Sequence, residues 1–189
     1  ILVLFTILYM LTILLMEKKD KEIYKGLSDT DALTGLFNRR AFQAAVDETL
    51  LKRIAGVFIF IDVDNFKDYN DKYGHANGDL CLKHFAAAMK KCFPKDSILG
   101  RYGGDEFVVY IKNAASDDAH RYMDEFQREI SHLIMAGGEH VTVSASAGGV
   151  AFIGEGEDFV SLCRSADNML YDVKRNGKGT FKIKGAKNM

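Results

Sequence analysis

The chain has 189 residues, with 25 Lys and Arg against 26 Asp and Glu, which gives a formal net charge of −1. This balance provides no general attraction to nucleic acid, and 27% charged residues with a single proline exclude a disordered or collagen-like chain. The three cysteines are an odd number without CxxC spacing, which argues against a disulfide framework and a zinc site and favours a reducing compartment.

The charges are unevenly distributed, because residues 1–16 carry none and consist almost entirely of large apolar residues. As a helix this segment would be about 24 Å long, slightly short of a bilayer core of roughly 30 Å. Since the chain begins with Ile, we interpret the segment as the C-terminal part of a transmembrane helix, followed by a charged connector at residues 17–30. Its lysines favour the cytoplasmic side. A signal-peptide core and a buried or coiled-coil helix are the alternatives.

The remainder is patterned as one domain, predicted at residues 31–185, with a tail at 186–189. The patterning predicts, in chain order, a helix at 31–51, a strand at 56–61, a helix at 77–93, strands at 97–102 and 107–111, a helix at 117–135, a strand at 141–152, a helix at 158–174 and a strand at 180–183. The two strands around residues 103–106 indicate a hairpin. We therefore expect an α+β fold, with helices flanking a central mixed or antiparallel sheet.

Two acidic pairs lie at the edges of predicted strands, Asp62 with Asp64 and Asp105 with Glu106. A carboxylate pair beside a buried strand is costly unless a cation is nearby. Two such pairs suit a Mg²⁺-dependent phosphoryl-transfer site, in which oxygen ligands bind the metal and substrate phosphates complete its shell. Each pair taken alone is also compatible with an ordinary strand boundary or turn.

The hairpin sequence RYGGDEF at residues 101–107 contains the signature of the GGDEF family of diguanylate cyclases. Four further stretches resemble motifs of that family in the same order. They are DALTGLFNRR at 31–40, DVDNFKDYND at 62–71, YGHANGD at 73–79, and AD at 166–167 with YDVKRNGKG at 171–179. Gly179 departs from the motif, which usually has Asn there. Because the motifs together extend over about residues 29–183, this segment is identified as a member of the GGDEF family.

The resemblance implies a fold similar to the polymerase palm and a defined reaction. Each domain would bind one GTP, and two facing domains would condense two GTP into cyclic di-GMP with release of two pyrophosphates. It also implies a homodimer and two Mg²⁺ or Mn²⁺ ions per active site. Combined with residues 1–16, it predicts an enzyme anchored in the cytoplasmic membrane of a bacterium, with the catalytic domain in the cytoplasm.

The resemblance also implies roles for individual residues. The catalytic residues and metal ligands would be Asp62, Asp105 and Glu106, with the Val63 carbonyl assisting the metal and Glu106 helping to deprotonate the 3′-hydroxyl. The remaining residues would bind GTP. Guanine would contact Asn70 and Asp79, and the phosphates would contact the amides of Asn65 and Phe66, the side chains of Lys67, Lys174 and Lys178, and the glycines Gly103 and Gly104.

Elementary chemistry supports the guanine assignment. Asp79 can accept hydrogen bonds from N1–H and the exocyclic amine of guanine, while Asn70 can donate to O6. Adenine has no such donor pair, so the site should reject it. Lys178 stands where arginine is common, and its point charge would hold phosphate less rigidly.

Several residues have structural alternatives. Asp31 and Asp79 are possible helix caps, and for Asp31 we favour capping. Asp64 is either a metal ligand or a structural partner of Arg101 or Arg39. His75 is better explained as a turn or packing residue than as a catalytic one.

Many family members carry an inhibitory product site, an RxxD motif ahead of the hairpin. Its arginine and aspartate would fall on Pro94 and Ser97 of this sequence. We therefore predict no inhibition by cyclic di-GMP through that site. Calorimetry of GTP-free protein tests this prediction, which tight cyclic di-GMP binding away from the GTP site would overturn.

Two other functions compete with an active cyclase. One is a GTP-binding module of the same fold that acts in regulation or dimerisation without turnover. The other is synthesis of a mixed purine dinucleotide. The chain retains the acidic and guanine-reading residues, which favours a cyclase that makes cyclic di-GMP.

Overall fold

The computed structural model describes residues 29–131, 133–134 and 140–185, together with Thr6, Tyr9, Met10, Thr12, Ile13 and Met16, which are helical. The predicted span at 1–16, the connector at 17–30 and the tail at 186–189 lie largely or wholly outside this part of the chain and stay predictions. Within the described residues, no helix is long and apolar enough to cross a membrane.

The described domain is built from five helices and eight strands. The helices are α1 (Arg39–Leu51), α2 (Phe66–Tyr73), α3 (His75–Cys92), α4 (Ser116–Ile130) and α5 (Phe159–Arg175). The strands are β1 (Phe37–Asn38), β2 (Gly56–Val63), β3 (Ile98–Gly103), β4 (Glu106–Lys112), β5 (Leu133–Ile134), β6 (His140–Val141), β7 (Ala145–Phe152) and β8 (Phe181–Lys184).

Six of these strands form one mixed sheet in the order β1-β3-β4-β2-β7-β8, while β5 and β6 pair separately. The outer strands β1 and β8 run parallel to their neighbours, and the inner strands are antiparallel. The structure confirms the predicted α+β class, with a central mixed sheet between helices.

Strand β2 lies in the middle of the sheet and is apolar on both faces because helices cover both faces. Alternate side chains such as Ile59 and Ile61 belong to the cluster that contains α3 and α4. Phe58 and Phe60 belong to the opposite cluster, with α1 and α5. The strand is therefore fixed from both sides, and its C-terminal end is held rigidly.

Helix α5 lies directly on the sheet because β7 contains Gly148. A Cβ atom at this position would lie 2.1 Å from the backbone nitrogen of Leu170. Such a contact is impossible, so only glycine permits the observed approach of the helix. This close packing sets the distance between the C-terminal turn of α5 and the end of β2.

Three predicted elements were wrong in extent. The helix predicted from residue 31 begins at Arg39, because Asn38 caps it by accepting a hydrogen bond from the Ala41 amide (3.0 Å). The helix predicted to reach residue 135 ends at Ile130, and the strand predicted from 141 begins at Ala145. The short helix α2 was not predicted, because it buries no side chain and so has no apolar period.

Candidate active site

The acidic residues predicted for the site meet at one edge of the sheet. Antiparallel pairing of β2 with β4 places Asp62 opposite Glu106. The Val63 amide donates a hydrogen bond to the Asp105 carbonyl (3.2 Å), which fixes the hairpin against the end of β2. The backbone register alone therefore brings Asp62, Asp105 and Glu106 together.

Lys174, in the last turn of α5, faces this carboxylate cluster. Its Nζ lies 2.8 Å from Asp62 Oδ2. Burial raises the pKa of Asp62, the Lys174 ion pair opposes that rise, and the charge of Asp105 adds to it. Partial burial likewise raises the pKa of Glu106, with further contributions from Asp62 and Asp105. One lysine thus leaves the cluster with excess negative charge.

This donor set fits a divalent cation that arrives with its substrate. Among the described residues, no three His, Cys, Asp or Glu side chains form a ready-made metal cage. Mg²⁺ is commonly held by one or two carboxylates, with substrate phosphates and water completing its shell. Asp62, Asp105 and Glu106 offer such oxygens, and Lys174 forms an ion pair with Asp62.

Replacing Glu106 by Gln should stabilise the metal-free protein at neutral pH, by about 1 kcal/mol or less because the side chain is largely solvated. A carboxyl whose pKa is higher in the folded than in the unfolded state binds more protons when folded. Its contribution to the free energy of unfolding therefore falls as the pH rises from about 4 through the raised pKa. The gain should vanish near pH 4. Urea denaturation in EDTA at both pH values measures it.

The matched control for this substitution is Glu125→Gln, on the exposed face of α4. It should change the free energy of unfolding little at either pH. A Glu106→Gln protein that is less stable than the wild type at pH 7 in EDTA would contradict the electrostatic description of the cluster.

The predicted phosphate-binding residues lie beside the carboxylates. Asn65 has a left-handed conformation (φ +55°) at the N-terminus of α2, and Lys178 Nζ donates to its Oδ1 (2.8 Å). First-turn amides of a helix lack intrahelical acceptors, so those of Phe66 and Lys67 are available to an anion. Helical geometry ends at Arg175, and positive φ at residues 177–179 turns the chain so that Lys178 reaches Asn65.

Asp64 forms no ion pair with Arg101 or Arg39, the structural partners predicted for it, among the described residues. It is 9% exposed and accepts three hydrogen bonds from two distant segments. The donors are the hydroxyls of Ser144 (2.8 Å) and Ser146 (2.6 Å) and the amide of Gly179 (2.9 Å). Asp64 therefore ties the end of β2 to the start of β7 and to the loop that carries Lys178.

The prediction that Asp31 caps a helix was wrong. Its carboxylate caps a turn by accepting hydrogen bonds from the Thr34 amide (2.9 Å) and hydroxyl (2.7 Å). It also pairs with Arg101, whose guanidinium donates to the Gly104 carbonyl. Burial acts to raise the pKa of Asp31, but the hydrogen bonds from Thr34 and Arg101 outweigh it and lower that pKa.

Arg101 is thus a positioning residue of the hairpin that the sequence assignment missed. The available signal was the pairing of an acidic residue in the first motif with the arginine that precedes the glycines. The contact between Arg101 and Asp31 was not predicted, because the two residues are 70 positions apart in the sequence.

The hairpin itself leaves room for a ligand. Gly103 and Gly104 are exposed, and a Cβ atom on Gly104 would meet nothing within 4 Å. On Gly103 its nearest neighbour would be Glu106 Oε2, at 3.9 Å. The space in front of the carboxylates is open, as approach of a phosphate requires.

The two predicted guanine readers lie on neighbouring helices. Asn70 of α2 has a buried Oδ1 without a hydrogen-bond partner among the described residues. Gly78 of α3 lies against this atom, since a Cβ atom there would come 1.9 Å from it. Asp79 follows Gly78 and is exposed. A buried acceptor without a partner is costly, so apolar packing alone does not account for Asn70 at this position. His75 is the exposed first residue of α3.

Comparisons of the sequence agree with this geometry. A family model described as diguanylate cyclase, GGDEF domain, matches residues 28–180. Cyclic di-GMP phosphodiesterase PdeR of Escherichia coli K12 is 33% identical over 168 residues, which cover 87% of this chain and 25% of that protein. A diguanylate cyclase of Vibrio cholerae is 34% identical over 164 residues, which cover 84% of this chain and 50% of that protein. The chain thus spans half or less of the length of these two relatives.

Comparison of the structures gives the same result. The GGDEF domain of DgcB from Caulobacter crescentus, solved in complex with c-di-GMP, superposes with a TM-score of 0.76 at 28% identity. The match covers 83% of this chain and 96% of that domain. Since the family model covers most of the sequence and the fold agrees, this chain belongs to the GGDEF family.

Proposed function

We propose that the chain is a diguanylate cyclase domain, which condenses two GTP into cyclic di-GMP across the interface of two copies. The observation that carries the proposal is the edge of the sheet where Asp62, Asp105 and Glu106 meet Lys174. In-line phosphoryl transfer depends mainly on positioning and charge neutralisation, and this edge supplies groups for both.

Each part of one GTP has a matching group in the proposed site. Asn70 and Asp79 orient the guanine, which places the sugar toward the hairpin. Lys178 and the first-turn amides of α2 bind the terminal phosphates. Lys174 gives up its ion pair with Asp62 and contacts a phosphate oxygen instead. A divalent metal bound by Asp62, Asp105 and the Val63 carbonyl would neutralise the developing charge.

Glu106 is the group suited to move a proton. Its raised pKa brings a carboxylate closer to the basicity that a general base needs. It lies at the exposed rim of the hairpin, where the 3′-hydroxyl of a second nucleotide would arrive. One copy holds one nucleotide, so the reaction requires a second copy that presents its own.

Incubation of the purified chain with Mg²⁺ and GTP, followed by mass spectrometry, tests the proposal. Cyclic di-GMP and two pyrophosphates per product are expected. A second reaction with GTP and ATP detects a mixed dinucleotide. Absence of any product over a range of protein concentrations would overturn the cyclase proposal.

Replacing Asp79 by Asn should raise the KM for GTP by about 10- to 100-fold, because one charged acceptor for guanine is lost. It should also reduce the preference for GTP over ATP. Binding of both nucleotides, measured by calorimetry with Asp124→Asn of α4 as the control, checks this. An unchanged preference would show that Asp79 does not contact the base.

A regulatory GTP-binding module is the second candidate. PdeR contains a region similar to this chain, although that protein is a cyclic di-GMP phosphodiesterase. GTP binding without turnover in the assay above would favour this candidate. Attachment to a cytoplasmic membrane stays a proposal that rests on the composition of residues 1–16.

A further inference from the structure

One face of α5, beside the proposed site, carries an exposed stripe of mixed chemistry. It is formed by Val160, Arg164, Asp167 and Tyr171, which share one helix face because they are spaced by four, three and four residues. Val160 is 60% and Tyr171 59% exposed. These two large apolar side chains on one helix face are available for contact with another molecule.

The two charged residues of the stripe have no salt-bridge partner in the described part of the chain. Arg164 and Asp167 are both exposed and point from the same helix face. Neither belongs to any ion pair within 4 Å among the described residues. Opposite charges so arranged are available to a partner of complementary pattern.

The pattern is complementary to itself. A two-fold axis between residues 165 and 166 would set two α5 helices antiparallel. It would place Arg164 against the partner's Asp167 and Val160 against the partner's Tyr171, and the reverse. We propose that this stripe is a self-association surface, through which two copies of the chain pair α5 against α5.

A depression that is lined in part by Val160, Arg164 and Asp167 of the stripe accommodates the exposed aromatic ring. It lies between α5 and the β3–β4 hairpin, has a volume of about 360 Å³, and is lined by Val160, Cys163 and Tyr102. Since Val160 faces the partner's Tyr171 in this arrangement, the ring of the partner enters the depression. Glu106 also lines the depression, so the paired copy borders the hairpin of the proposed active site.

The contact is short, because residues 160–171 span about 17 Å of helix. This is less than a stable interface of about 800 Å² per partner requires. The pairing is therefore weak, depends on protein concentration and weakens with added salt. It requires neither GTP nor turnover, so its failure and the failure of the cyclase proposal are separate results.

A charge exchange tests the pairing by sedimentation at several protein concentrations without nucleotide. Arg164→Asp and Asp167→Arg each replace two attractive contacts by repulsive ones, and each should weaken dimerisation by about tenfold. The double variant restores opposite charges across the axis and should return to within about threefold of the wild type. Lys83→Asp, an exposed charge reversal on α3, should leave dimerisation unchanged.

Two results would overturn the proposal. One is a wild-type chain that stays monomeric up to about 1 mM, a concentration at which weak pairing is populated. The other is a double variant that dimerises no better than the single variants.

Disulfide trapping gives an independent readout of the antiparallel register. In a Cys163→Ser background, Val160→Cys with Tyr171→Cys should form a covalent dimer under mild oxidation. Val160→Cys alone should not, because two copies of residue 160 would lie about 17 Å apart along the helices. A dimer formed by Val160→Cys alone to the same extent would contradict this register.

Discussion

Replacing Asp62 by Asn should lower the rate of cyclic di-GMP synthesis by about 1,000-fold while the fold is retained. Asp62 is the most enclosed carboxylate of the cluster and the one that Lys174 contacts at 2.8 Å. The amide keeps the size of the side chain but provides no charge for a divalent metal. It also removes the negative charge that pairs with Lys174. The turnover number at saturating GTP and Mg²⁺ measures the effect.

Two measurements, thermal unfolding and stabilisation by GTP with Mg²⁺, distinguish a loss of metal binding in Asp62→Asn from a loss of folded structure. Thermal unfolding of the metal-free variant should occur at no lower a temperature than that of the wild type, because a carboxyl whose pKa is raised by burial does not stabilise the folded state once it is ionised at neutral pH. GTP with Mg²⁺ should raise the melting temperature of the wild type and do so less for the variant. Asp124→Asn, an exposed acid on α4, is the control. A variant that retains a tenth of the activity would contradict the role of Asp62.

The edge of the sheet where the carboxylates meet was predictable because its residues are local to strand ends. Asp62 follows an apolar run, and Glu106 follows a two-glycine turn, so each position was assigned from a short stretch. Their mutual contact then follows from antiparallel pairing of two strands that the sequence marks clearly. The roles expected for these residues came from the resemblance to the family motifs, because hydrophobic periodicity predicts helices and strands and not chemical roles.

The supporting contacts were not predictable in this way. Asp31 and Arg101 are 70 residues apart, and Asp64 and Gly179 are 115 apart. Such contacts depend on how α5 and the first motif pack onto the sheet, which no local pattern encodes. The first helix was also extended too far, because Leu33 and Leu36 lie in a turn that the Asp31 carboxylate stabilises and Phe37 belongs to β1.

Replacing Asp64 by Ala should lower the free energy of unfolding by about 3 kcal/mol. Three donors lose their acceptor at once, and one of them, the Ser146 hydroxyl, belongs to a fully buried residue. The two serine hydroxyls can rotate toward other acceptors, whereas the Gly179 amide is fixed by its backbone. Urea denaturation in EDTA measures the loss.

The same substitution distinguishes a positioning residue from a metal ligand. Gly179 follows Lys178, so a loosened loop should raise the KM for GTP more than it lowers the turnover number, and Asp64→Asn should do so less because it keeps one acceptor oxygen. A double-mutant cycle with Ser146→Ala should show coupling above about 1 kcal/mol, since the two side chains share one hydrogen bond. A metal ligand would behave differently. Its loss would abolish Mg²⁺-dependent stabilisation and turnover while the metal-free protein kept its stability, and that result would place Asp64 in the catalytic cluster.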